Sequence, residues 1–361
     1  MRPDSTPHVL IPFAACSAAA WLPTLQAMPQ DSLKRLGQLL QGMKLVETDT
    51  RSAESLSPPH ERALARALGL ATLETPDGLI PWAAHDAATR IQAGNDNKAW
   101  AWITPCHWAM GHLHATLTDP AVLELREDES HALLALMQPY FETDGITLHY
   151  LTPERWLAEG ELFRGLPTAS LDRVLARNVD AWLPGARQAE RSAGPPQASS
   201  APSGGSALHE VKSVGVKILT RLQNEMQMLL YTHPLNDERA RQRKLPVNSF
   251  WISGTGTLPS NSGEALTPTL SQREREQVNA PRNLAEAVFR EDWAAYAQAW
   301  ATLDTGGIAR LLALQRTGET VRLTLCGEHS AQTFETHRAS PWRRFSSLFS
   351  PLRTLDLLKK L

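Results

Sequence analysis

Stretches with strand character alternate with stretches of helical periodicity from one end of this chain to the other, and that alternation restricts the fold more than any other feature. Val9 to Phe13 reads as a strand. Residues 31–46 place Leu33, Leu36, Leu39, Leu40 and Met43 at helical spacing. Residues 57–70 put Ser and prolines ahead of a helical pattern that stops at Gly69, a start-and-stop signature. Lys98 to Pro105 alternates as a strand, and residues 127–141 form a helix with acidic residues in the first turn, where the helix dipole favours them. Gly145 to Leu151 is again a strand. Val214 to Tyr231 carries the stripe Val216, Leu219, Leu222, Met226, Leu229 and Leu230 and ends before Pro234. Residues 283–304 read as one helix, and 320–330 as a strand running into a turn. Such alternation implies an α/β fold with a largely parallel sheet.

The 361 residues suffice for two modest domains or for one with an insertion. Between Gln188 and Ser206 the chain is rich in Ala, Ser, Gly and Pro and lacks apolar periodicity, as a flexible linker does. Residues 257–282 are also poor in core formers, and the part from Ala265 to Glu276 looks like a translated interspersed repeat. Loops accept such insertions because closure entropy grows slowly with length. The expected division is a core over 1–100, an inserted lobe over 101–187, a linker over 188–209, and a second core part over 210–361 with a disordered loop at about 257–281.

A net charge of −2 offers no basic field for nucleic acid. Three cysteines share no metal-type spacing and form no disulfide framework, which fits a cytoplasmic protein with reduced thiols. No apolar run reaches the roughly 20 residues of a transmembrane helix. The opening "HVLIPFAACSAAAWL" reads as a core strand rather than an export leader, because Pro12 interrupts it and Asp4 offsets Arg2. The basic tail from Pro341 has Trp342, Phe345, Phe349 and Leu352 at helical spacing. It reads as a cap on its own domain, with a membrane surface or a partner as alternatives.

Two groups of residues are candidates for chemistry. Glu328 and His329 follow an apolar strand, with His337 eight residues on; a carboxylate and imidazoles beyond a strand end are ligands for manganese or zinc. In "THPLNDERARQRKLPVNSFWISGTG", Arg239, Asn248, Ser253, Gly254 and Gly256 are candidates for holding an anion. The reading preferred for this segment is architectural, with any anion at the turn secondary: Val247 to Ile252 is a buried strand, with Trp251 and its flanking side chains packed on the helix "RLQNEMQMLL" and "SGTG" as a tight turn. Asn236 and Asn248 are then buried and bonded to loop backbone, while Arg239, Arg241, Arg243 and Lys244 are solvated. His112 and His114 could share a metal on a strand. Thr89, Thr104 and Cys106 are the available nucleophiles in their region, and none is convincing.

The turn Glu328-His329-Ser330 with the later His337 resembles the C-terminal metal-binding stretch of the archaeal-type cofactor-independent phosphoglycerate mutases of the alkaline phosphatase superfamily. His233, Pro234, Asn236, Arg239, Asn248, Trp251, Gly254 and Gly256 match a second stretch of that family. The segments from Gln223 to Gly256 and from Thr104 to Pro120 also look like a bacterial family of regulatory proteins of the pathogenicity-factor type E. The resemblance implies an alkaline phosphatase-like core with an inserted lobe. The departures are specific. The first strand of the mutases ends in a metal-ligating Asp, whereas here it runs into "FAACSA", and their His/Asp/Glu metal segment has no counterpart. The expectation is a catalytically degenerate relative without a cofactor, regulatory or binding in role, whose partner is a small phosphorylated ligand or a protein. The alternative is a metal-dependent phosphoryl-transfer enzyme with a rearranged site.

Overall fold

The computed structural model describes residues 6–29, 31–93, 97–111, 114–175, 177–184, 206–258, 278–337 and 354–361. The described strands are β1 His8–Ile11, β2 Met43–Thr50, β3 Trp100–Cys106, β4 Trp108–Met110, β5 Ala115–Leu117, β6 Thr147–Thr152, β7 Arg155–Glu159, β8 Ser249–Gly256, β9 Val278–Asn279, β10 Arg322–Cys326 and β11 Ser330–Thr336. The described α-helices are α1 Trp21–Ala27, α2 Lys34–Gln41, α3 Pro59–Ala67, α4 Trp82–Arg90, α5 Glu127–Glu142, α6 Leu171–Val174, α7 Ser206–Tyr231, α8 Pro234–Arg241, α9 Asn283–Phe289, α10 Trp293–Leu303, α11 Ala309–Arg316 and α12 Thr354–Leu358. Two compact units result: Met1–Glu54 with Pro58–Gly69 and Leu266–Leu361, and Ser55–Ser57 with Leu70–Ala265. The strand Ser249–Gly256, expected in the second part of the core, lies in the second unit.

In the first unit a five-stranded sheet has the order β2-β11-β10-β1-β9. Only β9, β1 and β10 run parallel, with Val9 opposite Leu323 and Ile11 opposite Leu325. The strands β10, β11 and β2 pair antiparallel. The expectation of a largely parallel sheet is therefore corrected to a mixed one. Its cause is local: the three residues between β10 and β11 allow only a hairpin return, which makes neighbouring strands antiparallel. One sheet face sends Val9, Ile11, Leu323 and Leu325 into a core with Leu36, Leu39, Tyr296, Trp300 and Leu311 from the helices. The other face lays Leu10, Cys326 and Ala331 against Ala63 of α3.

Three local readings need revision in this unit. The helix expected over 31–46 stops at Gln41, and the chain from Met43 is the edge strand β2. The helix expected over 283–304 is two. Glu291 takes φ 53°, and Asp292 caps α10 by accepting the Ala295 N–H at 2.9 Å. Between α10 and α11 a π-helical segment, Asp304–Ile308, aims the buried Asp304 carboxylate at the start of α2, where it accepts the Leu36 N–H at 2.9 Å. Of the basic tail, residues 338–353 lie outside the described residues; α12 places Leu358 in the core, with Leu355, Leu357 and Leu361 packed against it.

The second unit holds a four-stranded sheet, β6-β7-β3-β8, that is antiparallel throughout. Ala101, Ile103, Trp156, Phe250 and Ile252 form one face, packed against Leu133, Met137 and Phe141 of α5 and Leu219, Leu222, Met226 and Leu230 of α7. Fully burying each of these large side chains contributes about 1.5–3 kcal/mol. The Trp156 indole N–H is satisfied by Ser130 Oγ at 2.8 Å, so the ring is buried without an orphaned donor. The linker expected at 188–209 falls mostly on residues outside the described set, as does most of the loop expected at 257–281.

Candidate functional site

In open α/β sheets, ligand sites form beyond the carboxyl ends of the parallel strands. In the first unit that position is where β1 and β10 end side by side. Leaving β1, Phe13 adopts φ 51°, a left-handed conformation that a bulky side chain rarely takes. Its ring lies edge-on to Phe289 at 4.9 Å and tilted against His60 at 5.5 Å. The strained turn is fixed by hydrogen bonds: the Tyr296 hydroxyl donates toward the carbonyls of Phe13 at 2.9 Å and Ala14 at 3.1 Å. That hydroxyl also accepts the Trp21 indole N–H at 3.0 Å, and the Ala14 N–H donates to the Cys326 carbonyl at 2.7 Å.

Beyond it, the Ser17 N–H donates to Glu328 Oε2 at 2.8 Å, tying the two strand ends together. Cys16 is half-buried here; burial pushes its thiol up to about 11, and the nearby Glu328 charge adds to the effect. The thiol is thus protonated at neutral pH and a poor nucleophile. His329 is half-buried, its carbonyl accepts the Arg51 N–H at 3.0 Å, and its Nδ1 makes no hydrogen bond. Gly327 has no room for a side chain, because the Leu361 backbone packs where a Cβ would sit.

Glu328 and His329 are adjacent at this crest, but His337 is not with them. It is exposed beyond the far end of β11, whose seven residues are extended. At roughly 3.3 Å per residue that separates it from His329 by about 25 Å. The proposed three-ligand set is therefore not assembled.

The anion-binding set of the second unit is divided among structural partners. Arg239, expected in solvent, is fully buried. Its guanidinium donates to both Glu129 oxygens at 3.1 Å, to the Leu123 carbonyl at 2.6 Å and to the Leu245 carbonyl at 2.8 Å. Arg241 and Arg243 are exposed and Lys244 is half-buried. Asn248 uses both ends of its amide on Trp108, accepting the N–H at 2.8 Å and donating to the carbonyl at 3.0 Å. Asn236 bridges Leu230 and Val247 in the same way. Both asparagines hold backbone as expected, although they are half-buried rather than buried.

Residues 253–256 are not a turn. They continue β8 through a bulge, with Trp102 opposite Ser253 and Trp100 opposite Gly256. Gly254, at φ 63°, lies against the Trp102 ring and the Trp82 Cβ, so no side chain fits there. Phe250 and Ile252 face α7, whereas Trp251 faces the other way. It lies 6.5 Å from Trp108, with its indole N–H on the Ala169 carbonyl at 3.0 Å.

Of the remaining sequence candidates, Thr104 and Cys106 are buried in β3, and Thr89 donates to the His85 carbonyl. His107 bonds the Pro246 carbonyl, His114 is exposed, and His112 lies outside the described residues.

Sequence reasoning missed one charged cluster in the first unit. Asp49 accepts two hydrogen bonds from Arg62 at 3.0 Å and one from Arg66 at 2.7 Å. Burial alone would raise the Asp49 carboxyl, but the guanidiniums of Arg62 and Arg66 outweigh it and hold the carboxyl below its ordinary value. The available signal was the spacing of Arg62 and Arg66, one helical turn apart on α3.

No protein-family model matches the chain. The UDP-N-acetylglucosamine–N-acetylmuramyl-(pentapeptide) pyrophosphoryl-undecaprenol N-acetylglucosamine transferase of Polaromonas sp. (strain JS666 / ATCC BAA-500) is 40% identical over 80 residues. That stretch spans 22% of this chain and 20% of the transferase. A cofactor-independent phosphoglycerate mutase from Thermoplasma acidophilum aligns over 98% of this chain and 99% of its own, at 13% identity and a TM-score of 0.34. The PH0037 protein of Pyrococcus horikoshii aligns over 92% and 87%, at 10% identity and a TM-score of 0.38. Alignments at these scores assign no activity. Among the described residues, no helix is long and apolar enough to cross a membrane.

Proposed function

We propose that this protein is a phosphoglycerate mutase-like chain, related to the alkaline phosphatase superfamily, that has lost the metal chemistry of that family and acts by binding, in a regulatory role. One observation carries the reading. Where the first strand of the mutases presents a metal-ligating Asp, this chain has an apolar turn, Phe13 to Cys16, closed by Tyr296 and Trp21. Two divalent ions that activate a nucleophile and stabilise a phosphoryl group need several carboxylates. Of the acidic side chains near this crest, Glu328 accepts the Ser17 N–H through its Oε2, and Asp49 at the end of β2 is held by Arg62 and Arg66. The ligand in this reading is a small phosphorylated molecule or a protein, and the compartment is the cytoplasm.

The alternative, a phosphoryl-transfer enzyme with a rearranged manganese or zinc site, is favoured by the hydrogen-bond-free Nδ1 of His329 beside Glu328. The test is interconversion of 3-phosphoglycerate and 2-phosphoglycerate by the full chain with added manganese or zinc. No turnover is expected, and the protein should purify without stoichiometric metal. Metal-dependent turnover that disappears in His329→Ala would overturn the proposal in favour of the alternative.

A further inference from the structure

We draw no further inference here: the strongest candidate, the edge strand β2 with Leu45 and Val46 exposed and Val46 left out of the ladder by a bulge, is an apolar patch, and nothing in the structure shows what covers it.

Discussion

Replacing Arg239 tests the organisation of the second unit most sharply. The side chain is fully buried and spends its guanidinium on Glu129 and two loop carbonyls. Arg239→Met keeps most of the aliphatic stem and removes the charge. Glu129 then keeps the hydrogen bond it accepts from the Arg126 N–H at 3.0 Å, and the carbonyls of Leu123 and Leu245 lose the guanidinium donors. Breaking a buried ion pair from one side costs about 3–5 kcal/mol, because a buried charge loses its counterion. A solvated arginine would cost less than about 0.5 kcal/mol. Urea denaturation followed by tryptophan fluorescence separates these figures by several-fold. The double variant Arg239→Met/Glu129→Met should recover more than half of the loss, since replacing both partners by apolar side chains is far cheaper than stranding one. A single-variant cost below about 1 kcal/mol, or strict additivity in the cycle, would refute the pairing.

Other substitutions probe His8, Tyr296 and Asp304 in the first unit and Ser249 in the second. Tyr296→Phe removes the hydroxyl that serves the Phe13 and Ala14 carbonyls and the Trp21 indole, and should cost about 1–3 kcal/mol in a thermal or urea titration. Asp304→Ala uncaps α2 and should cost about 1–2 kcal/mol, with Asp304→Asn milder; equal and negligible effects would show that the π-helical segment does not anchor α2. His8 is held down to about 4 by burial and by the charge of Arg322, against an ordinary 6.5, so between these values the unfolded chain takes up a proton that the folded chain refuses. Its contribution is complete above pH 6.5 and is lost as pH falls toward 4, about 3 kcal/mol in total. The stability of His8→Gln should therefore fall less steeply than wild type across that window, and parallel curves would remove the effect. Ser249 is buried with a hydroxyl that makes no hydrogen bond to the protein, so Ser249→Ala should be neutral or stabilising by about 1 kcal/mol; a clear loss would reveal a partner.

Period and punctuation made the elements readable. The stripe on α7, the acidic first turn of α5 and the apolar runs of β1, β8 and β10 all formed where their residues placed them. Two of the failures, at Arg239 and at Trp251, depend on partners distant in the chain. An arginine among other basic residues reads as solvated, and the counterion that lets Arg239 be buried is Glu129, 110 positions away. The apolar run Phe250 to Ile252 reads as buried on both faces, but alternation alone does not say which parity meets α7. Sheet direction also escaped the pattern, because strands separated by helices suggest crossovers, whereas β10 and β11 are joined by a hairpin.

The candidate site divides along the same line. That β1 ends without a carboxylate is visible in the residues Phe13 to Cys16, and that Glu328 and His329 follow an apolar strand is equally visible. Their meeting depends on β1 lying next to β10 in parallel, which brings Ser17 to the Glu328 carboxylate across 311 positions of chain. His337 parts from His329 because the seven residues between them, Ser330 to Thr336, form one extended strand, and an extended strand carries its two ends apart. A third ligand for His329 must therefore come from another element. The turn after β1, joined to this crest by the Ser17–Glu328 bond, offers backbone and a protonated thiol in place of a carboxylate, and Asp49 of β2, two residues before the Arg51 N–H that meets the His329 carbonyl, is held by Arg62 and Arg66. Restoring an acid there, as in Ala15→Asp, would place a second carboxylate on the same short turn as the Glu328 contact. If the loss of chemistry lies at this crest, the variant should gain affinity for manganese or zinc over wild type in a calorimetric titration. A variant that folds, with no gain over wild type, would count against the proposal of a lost metal site at this crest.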